Sequence, residues 1–170
     1  MFNTRSKRKR KLAYLTILSI IAIVVVLFYL YASYFQYIKL ISTDGFTQVE
    51  VEKVFPIADS ALIQLKNGCS ELSFYISIEQ AVAIEQGLLK TPKFRPMTHD
   101  LLVDILQGFG IHPLQIKITE GKENVYFAEI VFQKWNEFLI ADSRPSDAIA
   151  IAARTNTPIY VQNSLLKTVC

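Results

Sequence analysis

The sequence predicts an α+β domain with a mixed or antiparallel sheet and about three helices, preceded by one transmembrane helix. Three observations lead there. Residues 12–35 form an uninterrupted apolar run in which only Thr16, Ser19 and Ser33 fall outside the hydrophobic class and none is charged. As a helix it would be about 36 Å long, against a hydrocarbon core of roughly 30 Å. Beyond it, segments rich in β-branched and aromatic residues alternate with helix signals. Finally, the chain has 170 residues, 51% of them hydrophobic, and a mean hydropathy of +0.28, values raised by that one run. The remainder has an ordinary globular balance and the size of one compact domain. Disorder, collagen-like repeats, a polytopic membrane fold and a disulfide-dense miniature are excluded. The organisation read from this is a basic N-terminus (1–11), a transmembrane helix (12–35), a linker (36–46) and a domain (47–170).

Charge separates these parts. Arg5, Lys7, Arg8, Lys9, Arg10 and Lys11 place six of the eighteen basic residues ahead of the apolar run, while all fifteen acidic residues lie after it. The domain is therefore net acidic although the chain is formally +3. Beside an apolar span, the basic cluster reads as a topology signal rather than a nucleic-acid arm, and it places the N-terminus in the cytoplasm. A cleaved signal peptide has the same order of parts, but its apolar core runs to about 7–15 residues. Here the run continues to Phe35, with Tyr29, Tyr31, Tyr34 and Tyr37 clustered near its end as at the far interface of a retained anchor. The expectation is a single-pass membrane protein, held in lipid through residues 12–35, with its domain on the outer face. Cys69 and Cys170 are the two cysteines, and with His99 and His112 they form no CxxC or HxxxH spacing, which argues against structural zinc. An outer compartment would permit the cysteines to pair, although a tail cysteine is more often frayed and free.

Along the domain, residues 47–57 predict a strand, and 61–66 with 70–77 predict two more joined by an Asn67-Gly68 turn. Ser77-Ile78-Glu79-Gln80 matches a capping box, so a helix to about Leu89 follows. Residues 91–96 read as a proline-containing loop carrying part of a basic group, Lys90, Lys93 and Arg95. A second helix starts at Thr98, with Leu101, Leu102, Ile105, Leu106 and Phe109 on one face, Asp100, Asp104 and Gln107 on the other, and Gly108 and Gly110 as its stop. Residues 114–119, 125–133 and 137–142 predict an antiparallel meander. Residues 145–154 predict a helix so apolar, through Ala148-Ile149-Ala150-Ile151-Ala152-Ala153, that most of its surface must be buried. Pro158-Ile159-Tyr160-Val161 is a last short strand, and 164–167 a terminal turn.

The stretch Arg95-Pro96-Met97-Thr98-His99-Asp100-Leu101-Leu102, followed by Ser143-Arg144-Pro145-Ser146-Asp147-Ala148-Ile149-Ala150 and the Pro158-Ile159-Tyr160-Val161 strand, resembles the bifunctional nuclease domain family. Ile78-Glu79-Gln80-Ala81-Val82-Ala83-Ile84 extends the resemblance to the family's first helix, and in all it covers about residues 47–166. The resemblance implies a small α+β domain and, from plant members that act on both DNA and RNA, hydrolysis of phosphodiesters. The N-terminal anchor departs from the family pattern, and a domain facing outward would not meet chromosomal DNA.

Phosphodiester hydrolysis needs an activated water and a way to neutralise charge on the phosphorus oxygens, usually with carboxylate-bound Mg²⁺ or Mn²⁺. Asp100, Asp104 and Asp142 are the candidate metal ligands. His99, Asp100 and Asp147 are the candidate catalytic residues, and Arg95 and Arg144 the candidate phosphate clamps. Ordinary roles stand beside each. Asp100 and Asp104 lie one helical turn apart on a polar face, where carboxylates are usually solvated, and His99 could pack against Leu106. Ser143 is a natural N-cap, Pro145 suits a first turn, and Asp147 opposes the helix dipole. Arg144 is left over, because a cation at a helix N-terminus calls for a carboxylate (Asp100, Asp142 or Asp147) or an anionic ligand. The expectation is that His99, Asp100, Arg144 and Asp147 gather. Nothing in the acidic domain carries an RNP, KH, zinc-finger or helix-turn-helix signature. The alternative function is a non-catalytic, membrane-anchored binding or assembly module, and in either case a homo-oligomer is expected.

Overall fold

The computed structural model describes residues 4–90, 95–122 and 125–170. The chain divides after Ser42 into two compact units. The first is one helix, α1 (Thr4–Ile41), whose segment Ala13–Ile38 is long and apolar enough to cross a membrane, with a mean hydropathy of 2.7. Helix therefore extends past the apolar run at both ends, over the basic segment and into the expected linker. The three serine and threonine hydroxyls of the apolar run bond to the helix's own backbone: Thr16 donates to the Ala13 carbonyl, Ser19 to that of Thr16 and Ser33 to that of Tyr29. A hydrocarbon environment would require this, because it offers polar groups no other partner.

The second unit is the α+β domain. Strands β1 (Phe46–Ile57), β2 (Ser60–Asn67) and β3 (Ser70–Ser77) precede helices α2 (Ile78–Leu89) and α3 (Thr98–Gly108). The meander β4 (His112–Lys122), β5 (Val125–Lys134) and β6 (Glu137–Ser143) follows, then α4 (Pro145–Thr155), β7 (Ile159–Gln162), a 3₁₀ turn (Asn163–Leu165) and β8 (Lys167–Thr168). Among the described residues these strands form one eight-stranded mixed sheet in the order β6-β5-β4-β7-β1-β2-β3-β8. Among the described residues only β4 and β7 run parallel. Residues 46–49 of β1 pair with β7, and from Glu50 onward β1 pairs with β2, with a register shift at Val51/Lys53.

Local chemistry explains several boundaries. The capping box at α2 is present: Ser77 Oγ accepts from the Gln80 N–H, and the Ser77 N–H donates to Gln80 Oε1. Asn67 pairs with Ser70, so the hairpin loop is Gly68-Cys69 rather than Asn67-Gly68, with Gly68 taking the positive φ of +56°. The tail is less free than expected. β8 pairs with Ser70 and Glu71 of β3, the Val169 N–H donates to the Cys69 carbonyl, and Cys170 is disulfide-bonded to Cys69 across 101 residues of sequence. Closing so large a loop restricts the unfolded chain, so replacing both cysteines by serine is expected to cost about 2–4 kcal/mol, read as a lower thermal midpoint. An unchanged midpoint would show that the β8 pairing holds the tail unaided.

α4 is the centre of the core. Its residues 148–152 are essentially inaccessible, and it packs against α2, α3, β4 and β5. Its approach to α2 is so close that a Cβ at Gly87 would stand 2.8 Å from both Ala153 Cβ and Arg154 Nη1, which makes glycine a steric requirement there. α3 turns differently from the sequence expectation. Val103 is its buried residue, Leu106 is packed against the core, and Leu101, Leu102, Ile105 and Phe109 are exposed. The apolar stripe is real, but its centre points outward.

Candidate active site

Two helix starts meet at the site, and each is shaped by its own sequence. α4 begins at Pro145, whose missing N–H is harmless in a first turn, and Asp147 follows in that turn where the dipole favours a carboxylate. The N-cap is Arg144, not Ser143 as expected. Ser143 closes strand β6, and its hydroxyl donates to the Arg144 carbonyl instead of capping the helix. α3 begins at Thr98, and the first-turn carboxylate of Asp100 accepts the Met97 N–H at 2.8 Å.

Three of the four expected residues gather. Asp147 Oδ1 lies 3.3 Å from His99 Nε2, and Asp147 Oδ2 accepts from Arg144 Nε at 2.6 Å. A carboxylate offers only lone pairs, so a hydrogen bond here places a proton on Nε2, and in the neutral imidazole the lone pair is then on Nδ1. The His99 and Asp147 side chains are largely shielded, with 19% and 27% of their surface accessible, whereas Arg144 is 70% exposed. Arg144 therefore reaches solvent beside a fixed His–Asp pair, and the same carboxylate raises its guanidinium further above its ordinary value. The carboxylate expected for it is Asp147, and the pair lies at the surface.

Asp100 goes elsewhere. Its Oδ1 accepts from Arg154 Nε at 2.6 Å, and Arg154, only 6% exposed, also donates through Nη1 to the carbonyls of Ala83 and Ala150. That buried pair ties α2, α3 and the last turn of α4 together. Sequence reasoning missed Arg154. The signal was available: position 154 lies one helical turn after Ala150, on the buried side of a helix otherwise free of cations, where a guanidinium needs a carboxylate partner. Asp104 is exposed and lines a cleft with Asp100, Lys90, Pro96 and Arg154. Arg95 is exposed just ahead of α3, His112 is exposed at the start of β4, and Asp142 sits on β6 opposite Glu129. Lys90 hydrogen-bonds Asn156 at the end of α4, and Lys93 lies outside the described residues.

The profile of the bifunctional nuclease domain matches residues 61–170, well over half of the chain. The chain belongs to the bifunctional nuclease domain family. The match takes in both helix starts, the buried pair and Cys170, and begins after β1, later than the resemblance read from the sequence. An uncharacterized protein of Mycobacterium tuberculosis (strain H37Rv) is 33% identical over 107 residues, 62% of this chain and 62% of the relative. Bifunctional nuclease 2 of Arabidopsis thaliana is 27% identical over 108 residues, 61% of this chain but 33% of that protein. Bifunctional nuclease 1 of the same plant is 26% identical over 108 residues. The chain thus spans less than two thirds of the length of these relatives.

For a family named for nuclease activity, a metal is the natural question. Asp147 is shared between His99 and Arg144, and Asp100 between Arg154 and the Met97 N–H. Among the described residues no three His, Cys, Asp or Glu side chains stand together where they could hold a metal ion. Asp100, Asp104 and Asp142 are not brought to one place: the first two border one cleft and the third lies on another element. These residues do not make a carboxylate cage of the kind Mg²⁺ or Mn²⁺ would fit.

Proposed function

We propose that the domain hydrolyses phosphodiester bonds of DNA or RNA at the His99–Asp147–Arg144 site. The observation that supports this most is the shared carboxylate, which fixes a histidine tautomer with one oxygen and a solvent-facing guanidinium with the other. His99 Nδ1 is free to take a proton from water. As that water's oxygen bonds to phosphorus, the phosphorus–oxygen ester bond breaks, and the proton passes from His99 to the leaving oxygen. Arg144 donates to the non-bridging oxygens, where negative charge gathers. The test is cleavage of end-labelled RNA and DNA by the purified full chain in detergent, with Mg²⁺, with Mn²⁺ and with a chelator. Product release in any of these conditions is expected; none in all of them would turn the reading toward a non-catalytic module.

The same proposal places the protein in a membrane through residues 12–35, N-terminus inside and domain outside. The basic residues at 5–11 support this, and so does the Cys69–Cys170 disulfide, since such bonds persist in oxidising compartments. Protease added outside intact cells is expected to digest the domain, and a fully protected domain would reverse the orientation. A second reading, self-association, is supported by the exposed stripe Leu101, Leu102, Ile105 and Phe109 on α3, for which the occupant proposed is the same stripe of another copy. Sedimentation of the chain in detergent as one copy at high micromolar concentration would count against it.

A further inference from the structure

Beside Arg144 lies a cavity of about 630 Å³ between β3, β5 and the start of α4. Its walls include Phe74, Tyr75, Val125, Tyr126, Arg144 and Pro145. Phe74 and Tyr126 are packed on each other, ring centres 5.2 Å apart and tilted by 48°, so two elements hold one aromatic wall. Tyr75 is 69% exposed, far more than an aromatic on a paired strand needs to be. β8 covers β3 only at Ser70 and Glu71, so beyond Glu71 the outer edge of β3 has no strand beside it among the described residues. Residues 73–76 of that edge line the same cavity.

We infer that this cavity binds one unstacked base of a single-stranded nucleic acid while Arg144 holds the adjoining phosphate, an assignment that rests on the nuclease reading above. The chemistry fits in three respects. A base offers a flat π-face to the exposed ring of Tyr75, and a donor and acceptor edge to an open strand. A base paired in a duplex hides its faces, so a pocket reached past a strand edge selects single strands. The domain is acidic, so binding that rested on phosphate contacts would be poor, whereas stacking is independent of net charge. With Arg144 as the cation at the site, affinity falls only shallowly with salt, at a logarithmic slope near −0.7 per phosphate held.

The test is fluorescence anisotropy on the full chain in detergent, carrying His99→Gln so that the probe survives, with three labelled probes of equal length: oligothymidylate, its abasic sugar–phosphate counterpart and a blunt duplex. Oligothymidylate is expected to bind at least tenfold tighter than the other two. Tyr75→Thr, which keeps a strand-favouring residue, is expected to remove about tenfold of that affinity and leave abasic binding unchanged. Trp135→Ala, an exposed aromatic at the other end of β5, is expected to change none of the three. Equal binding of oligothymidylate and abasic strand, or unchanged binding in Tyr75→Thr, overturns the inference; if the wild-type chain still cleaves, the nuclease reading stands without it. A chain that neither binds nor cleaves any probe overturns both. Tyr75-dependent dimerisation in sedimentation would show that a second copy fills the cavity, and would also overturn it.

Discussion

Asp100→Ala is expected to lower the stability of the domain by about 3 kcal/mol or more, a fall in thermal midpoint on the order of 10 °C. The reason is what the substitution leaves behind. Arg154 stays charged with 6% of its side chain accessible, its Nη2 already lacks a partner, and its Nε would lose the Asp100 carboxylate. The start of α3 would lose the acceptor for the Met97 N–H as well. Asp100 itself is 21% exposed, so water can enter and the loss falls toward the lower end of the range for a broken buried pair. Asp100→Asn retains an acceptor for Met97 and is expected to fall between. Thermal unfolding of the full chain in detergent measures all three; a shift below about 2 °C for the alanine variant would mean that the pair ties nothing together.

His99→Gln carries the largest expected effect on activity, a loss of about 10²–10⁴-fold in the cleavage rate with little change in thermal midpoint. Glutamine keeps a group able to hydrogen-bond Asp147 but cannot exchange a proton with water near neutrality. Arg144→Ala is expected to weaken substrate binding with little change in thermal midpoint, because its pair with Asp147 is exposed and screened. A merely structural His99 would give the reverse pattern, loss of midpoint with cleavage retained. These two variants separate the surface pair from the buried one: disrupting Asp100–Arg154 acts on folding, and disrupting the Asp147 group acts on chemistry.

Much of the fold was legible because its signals are local. The uncharged run 12–35, the Ser77–Gln80 capping box and the unbroken Ala/Ile face of α4 each specify one element through nearest neighbours and periodicity alone. What was not legible depends on partners distant in sequence. Periodicity shows that α3 has an apolar stripe but not which side meets the core; the side chosen carries His99, Val103 and Leu106, because His99 must reach Asp147 on α4. β8 has two residues and exists only through β3, so the sequence alone leaves the Cys69–Cys170 bond open. The site followed the same division. Two motifs at helix starts pointed to His99, Arg144 and Asp147, while the destination of Asp100 required Arg154, an arginine with no motif around it. Asp100, Asp104 and Asp142 looked equivalent as carboxylates in the sequence and differ in the fold by what already holds them.

The measurement that bears most directly on the central claim is the cleavage rate of a labelled single strand by four full-length chains: wild type, His99→Gln, Asp147→Asn and the double variant. If the three residues work as one unit through the Asp147 carboxylate, the wild type cleaves, each single variant loses at least about 10²-fold, and the double variant loses no more than the worse single one. Cleavage retained in His99→Gln, or losses that multiply in the double variant, would contradict the account.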